Sequence, residues 1–101
     1  QLNDNNISNL DFSLTSLSTL TLLLGNNQIN TVETDALLGC NKLLNLDLSN
    51  NQITTLGWEA LNDWALLVDD GGTLGASGNV DSIEGTTTET TLLGKNWNII
   101  T

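Results

Sequence analysis

The side chains that could do chemistry are few, and their types argue against catalysis. The chain has 101 residues, of which 12 are acidic and 2 basic, so its formal net charge is −10. It contains no histidine, the commonest general base and metal ligand. Its single cysteine, Cys40, has no histidine or arginine that could activate the thiol. We therefore expect a noncatalytic protein that carries no cofactor and no metal.

Carboxylates occur in pairs, but not in a pattern that favours a reaction or a metal site. Examples are Glu33 with Asp35, and Glu59 with Asp63. Acid–base catalysis needs two carboxylates in unlike environments of one cleft, whereas these pairs fall on the predicted outer surface. Residues 69–72 read Asp-Asp-Gly-Gly, but the alternating ligands of a calcium loop are missing. A solvated turn is therefore the favoured interpretation.

The charge pattern also restricts the partners. With only two cations, Lys42 and Lys95, the chain lacks a surface that could follow nucleic-acid phosphates. Its longest apolar run is far shorter than the roughly 20 residues that span a bilayer. We expect neither nucleic-acid binding nor membrane insertion. Asn6-Ile7-Ser8 fits an N-glycosylation site, whose use stays open.

An internal repeat dominates the sequence. Residues 22–32 and 46–56 align without gaps, which places Asn27 and Asn51 24 residues apart. A partial copy around Asn5 opens the chain, and all three share the pattern Leu-x-x-Asn-x-Ile-x-x-(Leu/Val). A period of this length is typical of coils that stack to bury a common core.

Each coil can be interpreted from its side-chain pattern. Leu46 and Leu48 alternate on a short strand, so both side chains point inward. An asparagine follows where the chain turns away, and its amide can bond free backbone groups of adjacent coils. This predicts a structural ladder of four side chains: Asn5, Asn27, Asn51 and Asn79. Ala36-Leu37 and Ala60-Leu61 are interpreted as helical or 3₁₀ returns on the opposite side.

The repeat diverges over residues 69–101. There Leu74 with Ala76, and Trp97 with Ile99, are predicted to take the paired inward positions. Residues 86–93 predict a helix with a poorly capped start, because threonine is a weak helix former. Strands are predicted around Leu2, residues 22–24, 46–48, 74–76 and 97–99. Cys40 and Trp64 are expected to be buried, while Trp58 could be buried or exposed.

The segment from Leu43 to Ile53 matches L-x-x-L-x-L-x-x-N-x-L and resembles the leucine-rich repeat family. Residues 71–79 and 92–99 are similar to repeats of bacterial and phage surface proteins, with departures at Ala76 and Asn96. The resemblance implies an α/β solenoid with short parallel strands on one face and helical or 3₁₀ returns on the other. It implies one domain over 1–101, with four to five coils, the first truncated.

The outward strand positions would then form the binding face. They are predicted to be Thr21, Leu23, Asn45, Asp47, Ser49, Thr73, Ser77 and Asn98. We expect a noncatalytic protein-interaction or adhesion module, with a protein or a glycan as ligand. It would be a fragment of a larger surface protein that is extracellular, on a cell surface or on a virion. The alternative is a structural subunit of a virion fibre or extracellular filament that self-assembles through open solenoid ends.

Overall fold

A computed structural model describes residues 4–10 and 20–101 of the chain. In chain order the elements are β1 (Asn9–Leu10), β2 (Thr21–Leu23), β3 (Thr31–Val32), β4 (Asn45–Asp47), α1 (Thr55–Ala60), α2 (Asn62–Leu67), β5 (Thr73–Gly75), α3 (Thr87–Gly94) and β6 (Asn98–Ile100). The strand predicted around Leu2 lies outside the described residues.

The main sheet has four parallel strands in the order β2-β4-β5-β6. Leu22, Leu46, Leu74 and Ile99 form one row across it, and the three leucines are buried. Each strand opens a coil, so the chain advances by one strand per turn. This confirms the predicted α/β solenoid with a parallel sheet on one face and returns on the other.

The predicted register of the last strand is wrong by two residues. Ile99 lies opposite Leu74, and the amide of Asn98 donates to the carbonyl of Gly72 at 2.9 Å. Trp97 therefore lies beside Gly72 instead of Leu74. The reason is size: the indole needs the space that a residue without a side chain leaves, and a Cβ at Gly72 would collide with the ring.

The returns differ from coil to coil. In the third coil α1 and α2 cross the convex side, as predicted around Ala60-Leu61. The return around Ala36-Leu37 is instead a series of turns, so the helical prediction is wrong there. Leu37 has a φ of 65°, which interrupts a helix while its side chain stays fully buried. β1 and β3 form a second, two-stranded parallel sheet, which the sequence pattern did not indicate.

The start of α3 is well capped, contrary to the prediction. The hydroxyl of Thr86 accepts a hydrogen bond from the amide of Glu89 at 3.2 Å. The Glu89 carboxylate in turn accepts from the amide of Gly85 at 3.0 Å. A carboxylate from α1, Glu59, accepts from the amide of Thr87 at 3.1 Å. Three otherwise unpaired amides are thus satisfied by side chains.

The core is tied together between coils by the three tryptophans. All are buried, including Trp58, and each indole N–H donates to a backbone carbonyl of another coil. The acceptors are Asp81 for Trp58, Cys40 for Trp64 and Asp69 for Trp97. Cys40 is fully buried, as its place in the repeat predicts. The core thereby combines apolar burial with satisfied polar groups.

Candidate functional site

The outward positions of the main sheet surround a shallow groove of about 350 Å³ on the concave face. It is lined by Leu23, Asn45, Asp47, Ser49, Thr73, Gly75, Ser77 and Ile100. The lining combines hydroxyl and amide groups with an apolar residue at each side and one carboxylate, that of Asp47. We call this surface the concave groove.

Six of the eight residues predicted for the binding face line the concave groove. Thr21 and Asn98 lie on the same sheet, at the beginning of β2 and β6, but do not line it. Ile100 was missed because the predicted register of β6 was two residues out. Gly75 takes an outward strand position, as the alternation along β5 predicts, but it has no side chain to offer a ligand.

Four residues form a single row across the groove. Leu23 lies opposite Asp47, Asp47 opposite Gly75, and Gly75 opposite Ile100. Because adjacent strands are about 4.8 Å apart, the backbones of Asp47 and Ile100 stand roughly 10 Å apart, and Gly75 between them adds no side chain of its own. Across the sheet the row is therefore an apolar residue, an acidic residue, a glycine and a second apolar residue.

The carboxylate of Asp47 is held in place by Ser49. Its Oδ1 accepts hydrogen bonds from the Ser49 amide at 2.9 Å and from the Ser49 hydroxyl at 2.6 Å. Two glycines flank it: a Cβ at Gly25 would lie 2.9 Å from Oδ2, and one at Gly75 2.8 Å from Oδ1. In this position the carboxylate fits between Gly75 on β5 and Gly25, which follows the end of β2 by two residues.

The asparagines behind the groove support the turns that end the strands. Asn51 is 7% exposed, and its Oδ1 accepts from the amide of Ile29 at 3.1 Å. Its Nδ2 donates to the carbonyls of Leu24 at 3.0 Å and Leu48 at 3.1 Å. One side chain thus joins the second coil to the third.

The same arrangement recurs on either side of Asn51. Asn27 accepts from the amide of Ile7 at 3.1 Å, and Asn79 accepts from that of Ile53 at 3.0 Å. Asn79 also donates to the carbonyl of Leu48 at 3.0 Å. Asn5 takes the equivalent place in the first coil and is exposed. The side-chain amides of Asn27, Asn51 and Asn79 each bridge two coils. These hydrogen bonds therefore hold the spacing of the strands that form the groove.

The described part of the chain offers neither a cluster of metal ligands nor a helix suited to a membrane. In residues 4–10 and 20–101, no three acidic or cysteine side chains lie close enough together to hold a metal ion. Asp69, in the loop tested as a calcium site, lies 3.4 Å from the ammonium of Lys42. Among the helices of this part of the chain, none has the length and apolar character that crossing a membrane requires.

Stacked parallel coils with a groove on the inner sheet define a solenoid repeat protein of the α/β class. The family model of the leucine rich repeat matches residues 20–69, which run from the start of the second coil to the loop after α2. The chain is a leucine-rich repeat protein. Neither a curated protein nor a solved structure matches it. Membership implies, in general terms, a module that binds other proteins.

Proposed function

We propose that the chain is a noncatalytic interaction module that binds a protein partner in the concave groove. The observation that carries the proposal is the mixture of polar and apolar side chains that line the groove. Asn45, Thr73 and Ser77 supply hydrogen-bonding groups, while Leu23 and Ile100 supply apolar contact. Such a mixture of a few polar groups and apolar edges suits recognition of a peptide or a protein surface.

Preorganisation supports the same conclusion. The strands beneath the groove are fixed by the asparagine bridges, and Asp47 is oriented by two hydrogen bonds from Ser49. A surface that is already ordered loses less entropy on binding than a mobile loop does. Binding therefore needs no rearrangement of the sheet.

The test is selection of binders from a random peptide display library on the immobilised protein, followed by a variant panel. Asn45→Arg places a bulky side chain in the groove, while Gln52→Arg makes the same kind of change at an exposed turn position outside it. We expect Asn45→Arg to abolish binding of most selected peptides and Gln52→Arg to leave it unchanged. Binders that ignore Asn45→Arg would contradict the proposal, as would an enzymatic activity that is lost in Asp47→Ala.

We further propose that the module acts outside the cell, as an adhesion module on a cell surface or a virion. Support comes from the similarity of residues 71–79 and 92–99 to repeats of bacterial and phage surface proteins. Antibody labelling of intact cells or particles tests the location. A glycan array tests for a carbohydrate ligand. If a glycan binds the protein and Asn45→Arg abolishes that binding, the ligand of the groove is a carbohydrate and not a protein.

Self-assembly is the second candidate, and the edge of the sheet favours it. Within the described residues β6 pairs only with β5, and Ile100 is 52% exposed. Such an edge can pair with a strand of another copy. Light scattering across a concentration series tests this: assembly should be weakened by Ile100→Lys. A monomer at all concentrations would exclude it.

A further inference from the structure

We propose that the concave groove recognises a lysine side chain of the partner, whose ammonium group binds Asp47. The inference rests on the proposed function and adds the chemistry of the contact. Among the described residues that line the groove, Asp47 is the only ionisable one, and its side chain is half-buried. A cation is the group that complements it.

The protein's own cations are engaged elsewhere. The sequence has two basic residues, Lys42 and Lys95. Lys42 lies 3.4 Å from Asp69, and Lys95 donates to the carbonyls of Leu66 at 2.8 Å and Val68 at 2.7 Å. Neither lysine lines the groove. A basic side chain that binds Asp47 would therefore come from another molecule.

The shape of the row fits a long, flexible cationic side chain. The Asp47 carboxylate lies over Gly75, where a Cβ would be 2.8 Å from Oδ1, and Ile100 lies opposite Gly75 on the next strand. An alkyl stem that ends at the carboxylate can therefore pack against the isoleucine. Lysine and arginine pack their stems on apolar surface while the charged head reaches a polar group. Leu23 covers the other flank of Asp47 in the same row.

The hydrogen bonds to Asp47 favour lysine over arginine. Each carboxylate oxygen has about two acceptor sites, and the Ser49 amide and hydroxyl already use those of Oδ1. Oδ2 accepts no hydrogen bond from the described residues and remains for a donor of the partner. A guanidinium binds best with two parallel bonds to both oxygens, whereas an ammonium needs a single point of contact.

Long-range charge supports the same partner. With a formal net charge of −10, the protein attracts cations and repels acidic ligands. General attraction alone would act over the whole acidic surface. Our proposal instead predicts that the cation prefers one carboxylate, that of Asp47. The experiment therefore has to separate Asp47 from the other acidic residues.

The experiment is an NMR titration of the ¹⁵N-labelled protein with hexalysine, hexaarginine and hexaglutamate. We expect hexalysine to shift the amide signals of Asp47, Ser49 and Gly75 most, and hexaglutamate to shift none. Asp47→Asn should weaken hexalysine binding about tenfold, as expected for loss of a charge-assisted hydrogen bond. Asp35→Asn, which removes the same charge from an exposed turn, should change it less than about twofold.

A second variant keeps the test decisive if Asp47→Asn disturbs the fold. Leu23→Lys places an ammonium group opposite Asp47 on the adjacent strand and should block hexalysine, whereas Gln52→Lys, which adds the same charge at an exposed position outside the groove, should not. Equal weakening by Asp47→Asn and Asp35→Asn, shifts spread over the acidic surface, or tighter binding of hexaarginine would overturn the proposal. The proposed function would survive those results if selected peptides still depended on Asn45, and would fail separately if they did not.

Discussion

Gly72 and Trp97 lie side by side at the start of neighbouring coils, and the indole of Trp97 occupies the space that a side chain at Gly72 would need. The ring also packs edge-on against Trp64, with 5.4 Å between ring centroids and 82° between planes. Its N–H donates to the carbonyl of Asp69 at 2.8 Å. This contact fixes the register of the last strand and therefore brings Ile100 into the groove.

We expect Gly72→Ala to destabilise the protein by about 1–3 kcal/mol, because the added methyl group overpacks the site of Trp97. Urea unfolding followed by tryptophan fluorescence measures the change in free energy. Gly94→Ala is the matched control, since a Cβ there meets no atom within 4 Å. Its stability should be equal or slightly higher. A Gly72→Ala variant as stable as the parent would contradict this account of the register.

Asn51→Ala should cost about 1–3 kcal/mol, because it leaves the amide of Ile29 without its acceptor and removes one of the donors to the carbonyls of Leu24 and Leu48. Gln52→Ala, at the exposed neighbouring position, should change stability by less than about 0.5 kcal/mol. Denaturant unfolding of both variants is the measurement. Equal stabilities would show that the asparagine bridges contribute nothing.

Lys95→Met should lower the free energy of unfolding by about 1 kcal/mol, because the ammonium binds two carbonyls at the end of α2. Lys42→Met makes the same substitution in an ion pair whose side chains are 60% and 56% exposed. Such a pair contributes little, so we expect a change below about 0.5 kcal/mol. Thermal unfolding of both variants is the measurement. A larger loss of stability in Lys42→Met than in Lys95→Met would contradict the stabilising role of Lys95.

Thr86→Ala should cost about 0.5–2 kcal/mol through loss of the cap of α3. Thr87→Ala removes a hydroxyl one residue further on, where the side chain is exposed, and should not destabilise. Hydrogen exchange of the α3 amides provides a local measurement alongside global unfolding. Faster exchange in both variants, or in neither, would argue against the cap.

Local residue patterns were enough to predict the coils and most of the groove. Asn27 and Asn51 mark equivalent turns because an amide side chain there has to form hydrogen bonds with backbone groups of two coils. This requirement constrains the residue type at a fixed spacing. The outward residues from Leu23 to Ser77 followed from the two-residue period of a strand. These features depend on neighbours close in sequence or exactly one repeat away, so the sequence by itself determined them.

The remaining features were decided by contacts between divergent coils, for which no repeat spacing exists. The indole of Trp97 lies beside Gly72 because the glycine leaves room for it. The resulting register of β6 places Ile100 in the groove. The cap of Thr87 by Glu59 likewise joins helices 28 residues apart. The row of Leu23, Asp47, Gly75 and Ile100 exists only in the assembled sheet, because side-chain volume and strand register, not residue type, bring a glycine and an apolar edge beside one carboxylate.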